Sequence, residues 1–185
     1  WPSVYEKAYG MFRGLDQDKP DISQLGFWNP LTALWEVSGI SVDARFLKSY
    51  PATTPTPTQK FNTAKIFGEI CSKGGMSPGL KTKRPMVAWT FLDGTQTPYS
   101  DAFTNDLIVG NHAYSILGTT FVSGMGNCIV LRNPYGISKV TTSIPGVSSC
   151  KPTWSPVSLQ ISQGNFAMTT EPFTHYFEGF CYTTV

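Results

Sequence analysis

The spacing of apolar positions changes near residue 85, from a helical period to runs of β-branched and aromatic residues. In SVYEKAYGMFR (3–13), Val4, Ala8, Met11 and Phe12 recur at helical spacing, Ser3 is a good N-cap and Glu6 follows three positions later. This predicts an amphipathic helix ending near Gly14. PLTALWEV (30–37) predicts a second helix, with Asn29 as cap, Pro30 in the first turn and Gly39 past the end. The Pro/Thr segment PATTPTPT (51–58) reads as a surface loop. Residues 60–73 return to helical spacing through Phe61, Ala64, Ile66, Phe67 and Ile70, and Gly74-Gly75 ends the run.

Beyond that point, MVAWTF (86–91), HAYSILGTTFV (112–122) and NCIVLRN (127–133) predict strands. The last two are joined by Ser123–Gly126 and form a hairpin. VSLQIS (157–162), NFAMTT (165–170) and GFCYTTV (179–185) are further strands, and EPFTHYF (171–177) is a short helical segment. There is no internal repeat. Helices first and antiparallel strands afterwards predict an α+β fold.

Composition narrows the function classes. The 185 residues carry a formal charge of +2, with 41% hydrophobic and only 14% charged residues. The chain is long enough for a sizeable core and too apolar for a disordered one. A near-neutral balance without a basic stripe argues against nucleic acid as a partner. No apolar run approaches the length of a membrane helix, so no membrane span is expected. A surface of hydroxyls and amides in place of charges leans towards a secreted protein. The chain opens on Trp1, from which we expect that processing or a boundary has removed a segment upstream.

Four cysteines are present, Cys71, Cys128, Cys150 and Cys181. None forms a CxxC pair, so structural zinc is not expected. The even count permits two disulfides in any of three connectivities, or four buried thiols. Cys150, in a Ser/Pro/Gly loop, and Cys181, near the C-terminus, are the plausible half-cystines. No Asn-x-Ser/Thr sequon occurs, so N-glycans are not expected.

The predicted hairpin holds the residues with the most chemistry. His112 starts its first strand and Asn133 ends its second, so antiparallel pairing brings them within a few residues of facing one another. An imidazole with a pKa near 6.5 can take a proton from a thiol and return it to a leaving amine. An Asn carbonyl oxygen that accepts the ring N–H fixes the tautomer without adding charge. Beside a thiol, such a pair favours thiolate–imidazolium. The plainer alternative is a structural histidine at a strand start and an Asn-Pro-x-Gly turn.

Several segments, in order, resemble the calpain-type branch of the papain-like cysteine peptidases. WPSVYEKAYGMFRG (1–14) resembles a family segment that opens with Trp and continues LLEKAYAK.NG. PLTALWEVSGI (30–40) resembles its GEALEDLTGG region, and NHAYSILG (111–118) its histidine strand GHAYSVLG. LRNPYG (131–136) resembles its asparagine motif LRNPWG, and residues 165–180 its closing F.DF..YF segment. The resemblance implies a papain-like fold, in which residues 1–80 complete a mainly helical lobe and residues 81–185 form an antiparallel β lobe carrying His and Asn. It implies that His112 is the general base and acid, Asn133 its orienting residue, and Tyr135 a smaller stand-in for the Trp that shields their bond from water.

The family's Cys and oxyanion-hole Gln lie upstream of the opening Trp segment. Neither internal candidate suits the role. Cys71 lies at the end of a predicted helix, where the dipole opposes a thiolate, and Cys128 lies within the hairpin. The resemblance therefore implies the His/Asn-bearing chain of a two-chain cysteine endopeptidase. The Cys would be supplied by a light chain from the same precursor, and the substrate would be a protein or peptide with specificity unknown. The alternative is a nucleophile-free homologue acting as a binding or inhibitory module, for which an aromatic content of 14% would suit a recognition face. Asp93, Asp101 and Asp106 read as scattered surface acids, so neither calcium, another metal nor any cofactor is expected. His175 and Arg132 read as structural and positional residues.

Overall fold

Asn29 begins the first helix, α1 (Pro30–Ser38), by accepting the Leu31 N–H on its side-chain oxygen at 2.9 Å. Pro30 occupies the first turn, where its missing N–H leaves no bond unmade. Gly39, at φ +66°, closes the helix by donating its N–H to the Trp35 carbonyl. In α2 (Thr63–Lys73), Asn62 plays the same capping part, accepting the Lys65 N–H at 3.0 Å. This helix buries Ile66, Ile70 and Cys71. Each of the two isoleucines contributes about 1.5–3 kcal/mol of burial. The computed structural model describes residues 29–47, 62–91, 108–134, 144–148, 153–154, 157–158 and 164–184. The predicted helix at 3–13 and the loop at 51–58 lie outside these residues.

Seven strands form one antiparallel sheet: β1 (Val42–Phe46), β2 (Met86–Thr90), β3 (Ala113–Val122), β4 (Gly126–Arg132), β5 (Val147–Ser148), β8 (Asn165–Thr169) and β9 (Phe177–Thr183). Their order across the sheet is β1-β9-β2-β3-β4-β8-β5. Two short strands, β6 (Thr153–Trp154) and β7 (Val157–Ser158), pair separately. The third helix, α3 (Thr170–Tyr176), follows β8 directly and buries Pro172, Phe173 and Tyr176. The described residues therefore form a mixed α+β molecule with three helices and an antiparallel sheet.

The predicted division of helices first and strands later is blurred by β1. This strand from the first half forms one edge of the sheet, running Val42↔Thr183 to Phe46↔Gly179 against β9. It escaped the sequence pattern although VDARF alternates apolar and polar residues, because the run is only five residues long with a small Ala at its centre; as an edge strand it is covered only partly, at Val42 and Ala44. Of the predicted strand 157–162, only Val157–Ser158 lies among the described residues.

Cys128, Val130, Ala167 and Cys181 are fully buried on one face of the sheet, and the main core cluster lies on the other. Ala88 of β2 pairs with Tyr114 of β3 and with Phe180 of β9, and the next residues on that face are Ile116, Leu131, Ile129, Phe166 and Met168. All are at most 1% exposed and pack with Ile66 and Ile70 of α2 and with Phe173 and Tyr176 of α3. Phe177 stacks on Phe173 at 4.6 Å and meets the Tyr114 ring edge-on at 5.4 Å.

Candidate active site

Four strands meet at the end of the sheet where β3 begins and β4 ends. The turn of the β3–β4 hairpin is closed by the Met125 N–H donating to the Val122 carbonyl at 3.0 Å, with Gly124 and Gly126 at φ +80° and +90°. From there Val122↔Gly126 continues one-to-one as far as Gly118↔Val130, after which Ile116 opposes Leu131 and Leu117 is left over as a bulge. The far end of the ladder is Ser115↔Arg132, which brings His112 and Asn133 to the open edge of the hairpin.

The backbone of His112 is held by Thr90, the last residue of β2. The Thr90 N–H donates to the His112 carbonyl at 2.9 Å, and the His112 N–H donates to the Thr90 hydroxyl oxygen at 3.0 Å. That hydroxyl donates in turn to the Val109 carbonyl at 2.8 Å. Asn111 takes the left-handed conformation at φ +49°, which an Asn tolerates, and its N–H reaches the Phe91 carbonyl at 2.8 Å. This kink turns the chain into β3. The adjacent Tyr114 presents its ring edge-on to the imidazole at 5.0 Å, and its hydroxyl accepts the Val109 N–H at 2.9 Å.

On the opposite strand, Asn133 is 8% exposed and its backbone N–H donates to the Gly164 carbonyl at 2.9 Å. Its side-chain oxygen lies 3.1 Å from Nε2 of His112. A carbonyl oxygen only accepts, so the ring proton sits on Nε2 and Nδ1 is left as the basic nitrogen. Burial holds the His112 pKa below the usual 6.5, and the bond to Asn133 works against that shift by favouring the charged ring. At neutral pH the pair is therefore a neutral imidazole with an oriented lone pair, the state a proton acceptor needs.

The structure thus brings His112 and Asn133 together; Tyr135 lies outside the described residues. Arg132 ends the ladder, paired with Ser115 on β3 and Asn165 on β8. His175 belongs to the last turn of α3. Asp93, Asp101 and Asp106 lie outside the described residues. Thr90, Tyr114 and the Asn111 kink were not singled out from the sequence. For Tyr114, the signal was its spacing, two residues after His112 on an alternating strand.

Cys71, Cys128 and Cys181 are buried thiols outside any disulfide, and Cys150 lies outside the described residues. The expectation that Cys181 is a half-cystine is thereby corrected. The residue lies mid-strand in β9 between Ala44 of β1 and Val87 of β2, where its neighbours across the ladder are not cysteines. Nor is any of the three an activated nucleophile. Burial pushes the Cys181 thiol up to about 12 and raises that of Cys71, against a weaker opposing bond from Thr119. Cys128 is fully buried, its thiol directed 3.6 Å to the Gly126 carbonyl of its own hairpin. By the alternation of the sheet, Cys128 and Cys181 share the face opposite Tyr114. No protein-family model and no curated protein sequence matches this chain.

Proposed function

We propose that this chain carries the general base and its orienting amide for a cysteine endopeptidase of papain-like fold and calpain type. The nucleophilic Cys would come from a light chain of the same precursor. The supporting observation is the 3.1 Å contact between His112 Nε2 and Asn133 Oδ1, made by the two segments that resemble the family's histidine and asparagine motifs. Nδ1 of His112 would take the proton of the partner thiol. The thiolate would attack the peptide carbonyl carbon, and the imidazolium would return the proton to the departing amine, leaving a thioester. Water, deprotonated by the same nitrogen, would then attack the thioester carbon, release the carboxylic acid and restore the thiol. Asn133 contributes by accepting the ring N–H, which holds the tautomer and the ring plane without adding charge. Low charge and a hydroxyl-rich surface support a secreted setting for this activity.

A second reading is favoured by one observation: burial raises the thiol pKa of Cys71 and Cys181, and Cys128 is fully buried against the Gly126 carbonyl of its own hairpin. A homologue that keeps the base but has no nucleophile would act as a binding or inhibitory module. Mass measurement of the native material under non-denaturing and then denaturing conditions separates the two. A second, thiol-bearing chain that takes up a thiol-directed epoxide supports the peptidase. A single species that takes up none rules it out for this molecule. In the assembled enzyme His112→Ala lowers kcat/KM for peptide cleavage by about 10²–10⁴-fold with the fold retained, and unchanged cleavage removes His112 from the mechanism.

A further inference from the structure

We propose that the bulge at Leu117, made possible by Gly118 and clamped by the loop between α2 and β2, is the device that places His112 and Asn133 on one face of the sheet; Gly118 is thus a positioning residue for the pair. The argument is one of parity. Residues paired across an antiparallel ladder share a face, and faces alternate along each strand. From the turn, Thr119 pairs with Ile129 and Gly118 with Val130. Continued without interruption, that register would set Ser115 against Asn133. His112, three residues from Ser115, would then fall on the opposite face. The extra residue shifts the pairing by one, so that Ser115 meets Arg132. The next step sets Tyr114 across from Asn133, and His112, two residues away, shares Tyr114's face.

The bulge is held from outside the hairpin. Backbone groups of the bulge and of its neighbour Thr119 are taken up by the 79–82 segment: the Thr82 N–H donates to the Leu117 carbonyl at 2.9 Å, and the Thr119 N–H to the Leu80 carbonyl at 2.9 Å. The Gly79 N–H donates to the Thr119 hydroxyl oxygen at 2.9 Å, and Lys81 bridges to Gly118. This approach is close enough to demand glycine. At φ +154°, a β-carbon on Gly118 would lie 2.5 Å from the Leu80 carbonyl oxygen, 2.6 Å from Lys81 Cα and 2.8 Å from the Trp154 ring. Two of these obstacles are backbone, so the loop or the strand has to move.

The device serves the chemistry proposed above, but its geometry does not depend on that chemistry, and the test reads the ring and not turnover. The nitrogen shifts of His112 are followed by NMR across pH in the chain as it stands, with His175 as internal reference. The unaltered protein is expected to show the Nε2–H tautomer. In Gly118→Ala the tautomer preference is lost, Nε2–H exchange with water quickens at least about tenfold and the titration midpoint rises towards about 6.5 as the ring leaves its site. Gly68→Ala, in α2 with no heavy atom within 4 Å of the added carbon, leaves His112 unchanged. Should Gly118→Ala not fold, Thr119→Val removes the acceptor for the Gly79 N–H at nearly constant volume and moves the same signals in the same direction by less. A folded Gly118→Ala or Thr119→Val protein with His112 unchanged in tautomer, exchange and midpoint overturns the proposal.

Discussion

For His112, two opposing effects set the pKa, and single substitutions separate them. Burial lowers it and the Asn133 bond raises it. Asn133→Ala removes only the second effect, so the midpoint of His112 falls below that of the unaltered protein, while Asn133→Asp places a negative charge beside the ring and raises it. NMR titration against His175 reads both, and a midpoint unmoved by either change would mean that the amide does not touch the ring. The effect on stability has a definite sign. The folded ring gives up its proton at lower pH than the unfolded one, so the unfolded chain binds more protons just below pH 6.5. Stability is therefore lost as pH falls from 6.5 through the folded value. For Cys181 the order is reversed. Its folded pKa, raised from 9.0 to about 12, means that stability falls as pH rises through that interval. Denaturant midpoints measured from neutral pH to pH 11 fall in the unaltered protein and fall less in Cys181→Ala. At this scale the proximity of His112 and Asn133 was legible from the pairing of a hairpin's two ends, and their joint role only from the resemblance of NHAYSILG and LRNPYG to a family's histidine and asparagine motifs. Their supports were not. Thr90 and Tyr114 act through a backbone-directed hydroxyl and a ring edge, which any buried Thr or Tyr can offer.

Strands declare themselves by how they are covered. β2, β3, β4, β8 and β9 are buried on at least one face and were readable to within a residue or two from β-branched and aromatic runs. The edge strand β1 and the bulge were not. In SILGTTF nothing marks Leu117 as surplus, since the reason for the surplus lies in the 79–82 segment that caps it. The same logic of close approach applies at the other edge. A β-carbon on Gly179 of β9 would lie 2.5 Å from the Trp89 ring and 2.8 Å from the Arg45 carbonyl of β1. Trp89 cannot easily yield, because its indole N–H is bonded to Glu178 at 3.1 Å and Phe46 rests edge-on against its ring at 5.4 Å. Gly179→Ala should therefore pry β1 from β9 and cost about 1–3 kcal/mol in chemical denaturation. Amide exchange in β1 should quicken before that in β3 and β4, and a variant with wild-type stability would show that the edge strand is not seated against Trp89.

Across the whole molecule, the α+β class followed from the order of periodic segments, but the partition of each helix between core and surface did not. Two helices predicted on equal terms behave differently. α2 places Ile66, Ile70 and Cys71 in the core, whereas α1, with Leu31, Leu34, Trp35 and Val37, buries none of its residues although it lies against β1, β2 and β9. An apolar stripe records which face of a helix is available for packing, and the rest of the chain determines how far that face is covered. Trp35 is 55% and Val37 69% exposed, so their removal from water supplies little of the folding free energy. Ser has nearly the same helix propensity as Trp and Val, and Asn29 and Gly39 cap the helix independently of both. The double variant Trp35→Ser, Val37→Ser should accordingly unfold within about 0.5 kcal/mol of the unaltered chain. Phe173→Ala, which empties a fully buried position under the Tyr114–Phe177 cluster, should cost about 3–5 kcal/mol. If the surface pair cost as much as the core residue, α1 would be packed by its apolar stripe after all, and Trp35 and Val37 would have to be counted with the core.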